Sequence, residues 1–469
     1  MSFPINFITR TKALLGDEYS QLEAALMADT PVSVRVNQAK GTRTPKDAEP
    51  VGWCDTGFYL PNRPAFTFDP LFHAGAYYVQ EASSMFLEQA IRTYVTKPVR
   101  CLDLCAAPGG KSTHLSSLLP AGSLLVSNEV IRNRSYILAE NLAKWGSAST
   151  IVLNDDPAEI GEALPEQFDL IVTDVPCSGE GMFRKDEASV GEWSAENVRL
   201  CAARQRRILH DIWPALRPGG LLVYSTCTFN AEEDEENVRH IVEELGAEAL
   251  PIATDEAWRV TGPLRHENPV YRFFPHKTKG EGFFLAILRK SGDEEYEVVG
   301  ERPVKSARNK GKKETKTTLP IPKEAWGYLR EQENITLEWD GPRLHMIPTA
   351  HKPFLERLRD KRLRIMAAGT LVGELKGKDL IPSQTLALSQ ELNPSAFPDM
   401  ELTWEEAIRY LRKEAITLPE GLPKGYLLTR YQGVPLGFVK HLGNRSNNLY
   451  PQEWRIRSTH LPDPVILFE

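Results

Sequence analysis

CLDLCAAPGGKSTHLSSLL, residues 101–119, decides the fold. A short apolar strand, Cys101 to Cys105, runs into the turn Ala106-Ala107-Pro108-Gly109-Gly110 and then into a helical pattern. In an α/β sheet such a turn presents backbone N–H groups and a helix N-terminus to a ligand. A Walker phosphate loop needs GxxxxGK[ST], but the residue five before Gly110 is Cys105, and the dinucleotide pattern GxGxxG is absent as well. A nucleotide hydrolase is therefore the wrong class.

Working outward, the apolar segments SLLVSNE (123–129), STIVLN (149–154), FDLIVTD (168–174) and GLLVYSTC (220–227) alternate with helical patterns. Short, nearly continuous apolar strands between helices predict a mostly parallel sheet covered on both faces, with ligands at the strands' carboxyl ends. This domain is expected to span 86–292. Residues 1–85 read as a small α+β extension, with a helix near Asp17 to Met27 and a strand near Val32 to Val36. Residues 293–320 read as a basic linker, since Arg302 to Lys316 holds seven basic residues against one acidic. Two segments, 363–388 and 426–457, share a strand, a Gly turn, a Gly-containing strand and a polar stretch. They predict a small α+β module at 321–390 and a β-rich module at 391–469.

A chain of 469 residues exceeds the usual single domain of about 100 to 200, in keeping with this division. Its net charge of -7 excludes a surface coated in positive charge, so any nucleic-acid surface must be local. The six cysteines form neither CxxC pairs for zinc nor a disulfide framework; no metal and a reducing cytoplasm are expected. The first residues lack a signal-peptide core, and no run of 18 apolar residues occurs, so no membrane partner is expected.

The strand, Asp103 and the AxPGG turn resemble motif I of Rossmann-like class I methyltransferases, and Glu129 closes the second strand where a carboxylate can accept both ribose hydroxyls. CAAPGGKS, DVPCSGEGMFRKD (174–186) and YSTCTFNAEEDEENV (224–238) together resemble motifs I, IV and VI of the Sun-type (nucleolar protein and Sun) RNA cytosine-5 methyltransferases. SVRVN (33–37) and YYVQEASSM (77–85) resemble that family's N-terminal extension. PLGFVK and the Asn-rich stretch before YPQEWRIR resemble the tail of bacterial small-subunit ribosomal RNA methyltransferases of the F type, which implies a PUA-like RNA-binding module. The resemblance implies S-adenosyl-L-methionine as cofactor, held by Ala106, Ala107, Pro108, Gly109, Gly110, Lys111, Glu129, Arg134, Asp156 and Asp174, with Asp155 an alternative to Asp156. It also implies that Cys227 attacks the base and that Cys177 helps release the product.

The chemistry demands such residues. Carbon 5 of cytosine is too weak a nucleophile to take a methyl group unaided, and a thiolate adding to carbon 6 makes carbon 5 enamine-like. An ordinary Cys, with a pKa of about 8.5, is only a few per cent ionised at neutral pH, so an electrostatic partner is needed; Lys111 lies in the opposite loop. Asp174, as a protonated carboxyl, matches the acceptor and donor on cytosine's Watson–Crick edge, which uracil reverses.

The acidic run Glu232 to Glu236 is expected to be a helix cap and first turn after Asn230. Six basic residues between Lys352 and Arg364 could track phosphates. The expected partner is RNA, small-subunit ribosomal RNA before transfer RNA, acted on by a monomer. A non-catalytic assembly factor of this fold is the other class, opposed by the intact Lys111, Asp174, Cys177 and Cys227.

Overall fold

A computed structural model describes residues 2–292, 319–458 and 460–468. The basic run Arg302 to Lys316 lies outside the described residues.

The centre is a nine-stranded sheet. Five strands run parallel: Leu216–Thr226, Phe168–Asp174, Arg100–Asp103, Leu124–Asn128 and Thr150–Leu153, in that spatial order. Their residues are almost all buried, as near-continuous Val, Ile and Leu runs require when helices cover both faces. Antiparallel strands Phe283–Lys290 and Ala247–Leu250 extend one edge. The sequence order reverses on either side of Arg100–Asp103, so a crevice opens at the end of that strand, which is where the glycine turn begins.

The other edge differs from expectation. Ile365–Ala368, assigned by pattern to a C-terminal module, pairs antiparallel with Thr150–Leu153 of the central sheet. The cause lies one residue earlier: Arg364 donates from its backbone N–H to Asp155 at 2.9 Å and from Nε at 3.0 Å. The rest of that module is a four-stranded antiparallel sheet from Ile335 to Pro382.

The N-terminal sheet orders Glu49–Val51, Cys54–Leu60, Val32–Val36 and Tyr77–Val79, all antiparallel. The C-terminal sheet orders Asp399–Glu401, Gly425–Tyr431, Val434–His441 and Ser446–Asn448. These two ends of the chain share one core, in which Val34, Leu71 and Tyr77 pack with Leu427, Leu436 and Tyr450. Trp404 Nε1 donates to the Phe68 carbonyl across the junction at 2.9 Å.

An additional helix, Ile5–Leu15, precedes the expected one, which is Tyr19–Met27. It was hidden because its first turn carries the exposed Ile5 and no capping side chain. Phe7 is its buried anchor. With Phe3 and Leu22 it packs on Phe183, Trp193 and Phe229, behind the loops that follow two central strands.

Candidate active site

Each expected site residue except Gly110, Lys111 and Arg134 belongs to a loop just beyond, or is the last residue of, a parallel strand, and Gly110 and Lys111 open the helix that follows the first of those loops. Arg134 is in the helix after the second strand. The glycine turn leads into the helix Gly110–Leu118. Gly109 sits at φ 118°, a left-handed backbone that a side chain resists. Arg134 Nη2 donates to the Ala107 carbonyl at 2.7 Å and Asn141 Nδ2 to the Pro108 carbonyl at 2.8 Å, fixing the turn from outside. Glu129, buried, accepts from the Ile131 N–H at 2.9 Å, and its other oxygen lies 3.4 Å from Arg134.

Arg35, from the SVRVN strand, reaches the same helix. Nε donates to Gln80 at 2.9 Å and Nη2 to the Thr113 hydroxyl at 2.6 Å, while the guanidinium lies over the Trp145 ring at 4.4 Å. Burial lowers its pKa to about 10. Sequence reasoning assigned it no role; a charged residue amid the alternating apolar positions of a strand was the available signal.

Lys111 Nζ lies 2.8 Å from Asp174 Oδ2. Burial opposes the ammonium, but the Asp174 carboxylate, with Asp103 and Cys227 contributing less, raises the Lys111 pKa. Ser225 donates to Asp174 Oδ1 at 3.0 Å. Both Asp174 oxygens therefore accept hydrogen bonds, and the expectation of a protonated carboxyl that donates to the base has no counterpart in its partners.

Cys177 and Cys227 bring their sulfurs to 3.1 Å. Facing the Cys227 sulfur, and half-buried, the Cys177 thiol has its pKa pushed well up by that contact and by desolvation. Cys177 thus holds its proton against its neighbour. The loops carrying them are joined by Glu180, a residue the sequence reading passed over although it stands between two glycines. Its buried carboxylate accepts from Thr228 Oγ1 at 2.7 Å, Phe229 N at 2.7 Å and Asn230 N at 3.0 Å.

The acidic run after Asn230 is only in part a helix start. Glu235 and Glu236 do occupy the first turn of Glu235–Leu245, but Asp234 at the cap position makes no capping bond. Glu233 is buried and accepts from Ser178 N, Gln205 Nε2 and Asn230 Nδ2. Asp234 and Glu235 each hold Arg272, at 2.8 Å. Burial of these acids against specific donors, invisible to local pattern, makes them the floor beneath the cysteine loops.

Asp155 and Asp156 separate clearly. Both Asp155 oxygens accept from Arg364, whereas Asp156 uses Oδ1 to cap the Pro157–Ala163 helix. The basic residues of 352–364 are mostly engaged internally: Arg359 with Glu338 at 2.6 Å, Arg364 with Glu159 at 2.6 Å, and Arg357 with Gln167.

Among the described residues one grouping of three metal-type donors converges, Cys54, Glu88 and His114. His114 lies 3.0 Å from Glu88, which Arg92 also pairs at 2.8 Å, and burial lowers the His114 pKa to about 4. It ties the N-terminal sheet to two helices of the central domain. No helix among the described residues is long and apolar enough to cross a membrane.

A glycine turn at the reversal point of a parallel sheet, with acids at successive strand ends, defines a Rossmann-like methyltransferase. The chain belongs to the family of ribosomal RNA small subunit methyltransferase F. It is 33% identical over 426 residues to that protein from Cronobacter sakazakii, covering 86% of this chain and 84% of the relative, and 31% identical to the one from Erwinia tasmaniensis, covering 96% of both. The family profile of 16S rRNA methyltransferase RsmB/F matches residues 95–289, the N-terminal domain of RsmF residues 3–82, and the RsmF PUA domain residues 397–456. Among solved structures, a methyltransferase homolog protein from Pyrococcus horikoshii is 28% identical with a TM-score of 0.53, covering 62% of this chain and 96% of that one. NSun6 from Pyrococcus horikoshii with SFG, 20% identical with a TM-score of 0.52, shares the fold.

Proposed function

We propose that this protein methylates carbon 5 of a cytosine in small-subunit ribosomal RNA, with S-adenosyl-L-methionine as methyl donor and Cys227 as nucleophile. The observation that carries the reading is the 3.1 Å approach of Cys177 and Cys227 beside the Lys111–Asp174 pair. One thiol alone would suit an inert core position; two meeting beyond adjacent strand ends suit addition and elimination.

The residues present fit the donor. Asp103 Oδ1 is buried and has no hydrogen-bond partner among the described residues, at the end of the strand leading into the glycine turn. With Glu129 and Asp174 it makes a set of acceptors suited to an ammonium and ribose hydroxyls. The turn from Ala106 through Lys111 would pass beneath the methionine part, Arg134 would keep the turn in place, and Asp156 would face the adenosine part. When bound, S-adenosyl-L-methionine supplies an electrophilic methyl group.

Cys227 adds through sulfur to carbon 6, breaking the ring's conjugation so that carbon 5 becomes nucleophilic. Lys111 lends positive charge to the thiolate. Asp174 accepts from the amino group of cytosine, where uracil would set carbonyl against carboxylate. Cys177, beside Cys227, can give its proton to the departing Cys227 sulfur and take up the carbon 5 proton in exchange, so that both thiols end the step protonated. The base must leave its stack to reach both loops, so an exposed or flipped nucleotide is the substrate. The C-terminal module supplies RNA contacts, and the cytoplasm is the site of action.

Bisulfite mapping of cellular RNA with and without the gene tests the assignment. A position in small-subunit ribosomal RNA should lose 5-methylcytosine in the deletion and regain it with wild type but not with Cys227→Ser; an unchanged map, or loss confined to transfer RNA, refutes it.

A further inference from the structure

Cys227 is the first residue beyond the strand Leu216–Thr226, and residues 227–230 belong to no strand. What holds them is Glu180, three residues after Cys177. The Glu180–Met182 turn follows Gly179, whose φ of 74° swings the chain back toward the second loop. There Gly181 N donates to the Cys227 carbonyl at 2.9 Å. A Cβ on Gly181 would lie 2.9 Å from that oxygen, so the two backbones touch as closely as the residue allows.

The Glu180 carboxylate then takes up the next three residues in turn. Oε2 accepts from the Thr228 hydroxyl and the Phe229 and Asn230 amides, and Oε1 from Asn230 Nδ2 at 3.2 Å and Trp193 Nε1 at 3.1 Å. All five donors are neutral, and Glu180 is buried. A buried carboxylate whose hydrogen-bond partners include no cation is costly unless its lone pairs are fully used, and here they are. Trp193 packs on Phe7, so the carboxylate is anchored in turn to the N-terminal helices.

We propose that Glu180 is the positioning residue for the Cys227 nucleophile: it fixes the Cys227 loop on the Cys177 loop and so sets the direction from which the sulfur meets the base. The proposal rests on Cys227 being the nucleophile. Glu180 touches neither sulfur in this arrangement; it acts through the backbone on either side of Cys227. Replacing it by Gln keeps the shape but sets an N–H₂ against donors, loosening the loop without emptying the site.

The test compares full-length wild type, Glu180→Gln and Cys227→Ser on small-subunit RNA, with melting temperature measured alongside. For Glu180→Gln, kcat should fall about 100-fold, as a misplacement near 1 Å costs, while KM for S-adenosyl-L-methionine and for RNA stays within about twofold. In a Cys177→Ala background, the covalent RNA complex should form more slowly by the same factor. Thr228→Val, which removes one donor, should slow kcat about tenfold and Thr228→Ser should restore it, so the proposal stays testable if Glu180→Gln folds poorly. A folded Glu180→Gln enzyme with near-native kcat while Cys227→Ser is dead overturns the positioning role alone. Equal behaviour of Thr228→Val and Thr228→Ser overturns it too. An active Cys227→Ser enzyme instead removes the nucleophile assignment beneath it.

Discussion

Arg35 donates to the Thr113 hydroxyl at 2.6 Å, and Thr113 in turn donates to the carbonyl of Gly109 at 2.8 Å. A residue of the N-terminal sheet thereby reaches the turn proposed to hold the cofactor, through Thr113 and also directly at the Gly110 carbonyl, 3.3 Å from Nη2. Arg35→Met removes those donors and the packing on Trp145 while filling part of the volume. The expected cost is about 2–4 kcal/mol of stability, from roughly 1 kcal/mol per hydrogen bond plus lost packing. Urea unfolding measures it, and KM for S-adenosyl-L-methionine should rise in parallel. A variant as stable as wild type would show that the N-terminal sheet does not support the turn.

The two sulfurs predict opposite phenotypes for similar substitutions. Cys177→Ala leaves Cys227 able to add to the base but removes the group beside it, so a covalent protein–RNA complex should accumulate and survive denaturing electrophoresis. Cys227→Ser should give no complex and no methylation. If the band appears with Cys227→Ser instead, the roles are exchanged and the thiol held protonated by its neighbour is the attacking one.

The central sheet was legible because its strands are short apolar runs ended by polar or glycine-rich turns, and Cys101 to Lys111 marked the crevice. The proposed chemistry was legible at Lys111, Asp174, Cys177 and Cys227, since each sits where a strand ends. What was not legible depends on burial. Glu180, Glu233 and Arg272 resemble ordinary surface charges in sequence, and only the fold sets the two acids against their donors and Arg272 against its acceptor Asp234. Ile365–Ala368 has the pattern of any short strand; the Arg364 contact to Asp155, 209 residues away, decides which sheet takes it.

That contact carries its own prediction. Were the basic residues of 352–364 phosphate contacts, each removal would lower the salt dependence of RNA binding, by a slope of about 0.7 to 0.9 per contact. Arg364 is committed to Asp155 and Glu159, so Arg364→Ala should leave the slope of log K against log salt unchanged within about 0.3. It should instead lower thermal stability, because Asp155 keeps its buried position and its bonds from the backbone N–H but loses the guanidinium that pairs its charge. A slope reduced by most of a unit with unchanged melting would restore the phosphate-tracking role.

Asp103 makes the stability of the cofactor-free protein depend on pH. Burial lifts its carboxyl from an ordinary 3.8 to about 7, and among the described residues its one side-chain hydrogen-bond partner is Ser112, donating to Oδ2 at 2.6 Å. Below 3.8 the group is protonated in folded and unfolded chains alike, and its contribution is fully favourable. Between 3.8 and 7 the folded protein binds a proton that the unfolded chain has released, so stability declines as pH rises, by at most about 1.4 kcal/mol per pH unit. Above 7 the decline ends, since both states are ionised. Asp103→Asn cannot ionise, and its amide oxygen still accepts from Ser112. Other groups titrate in this range too, so the informative quantity is the difference between the two proteins. Asp103→Asn should gain several degrees of melting temperature on wild type at pH 8 relative to any difference at pH 5. Parallel profiles from pH 5 to pH 8 would mean that Asp103 is already ionised across the range, held so by the Lys111 ammonium rather than neutralised by burial.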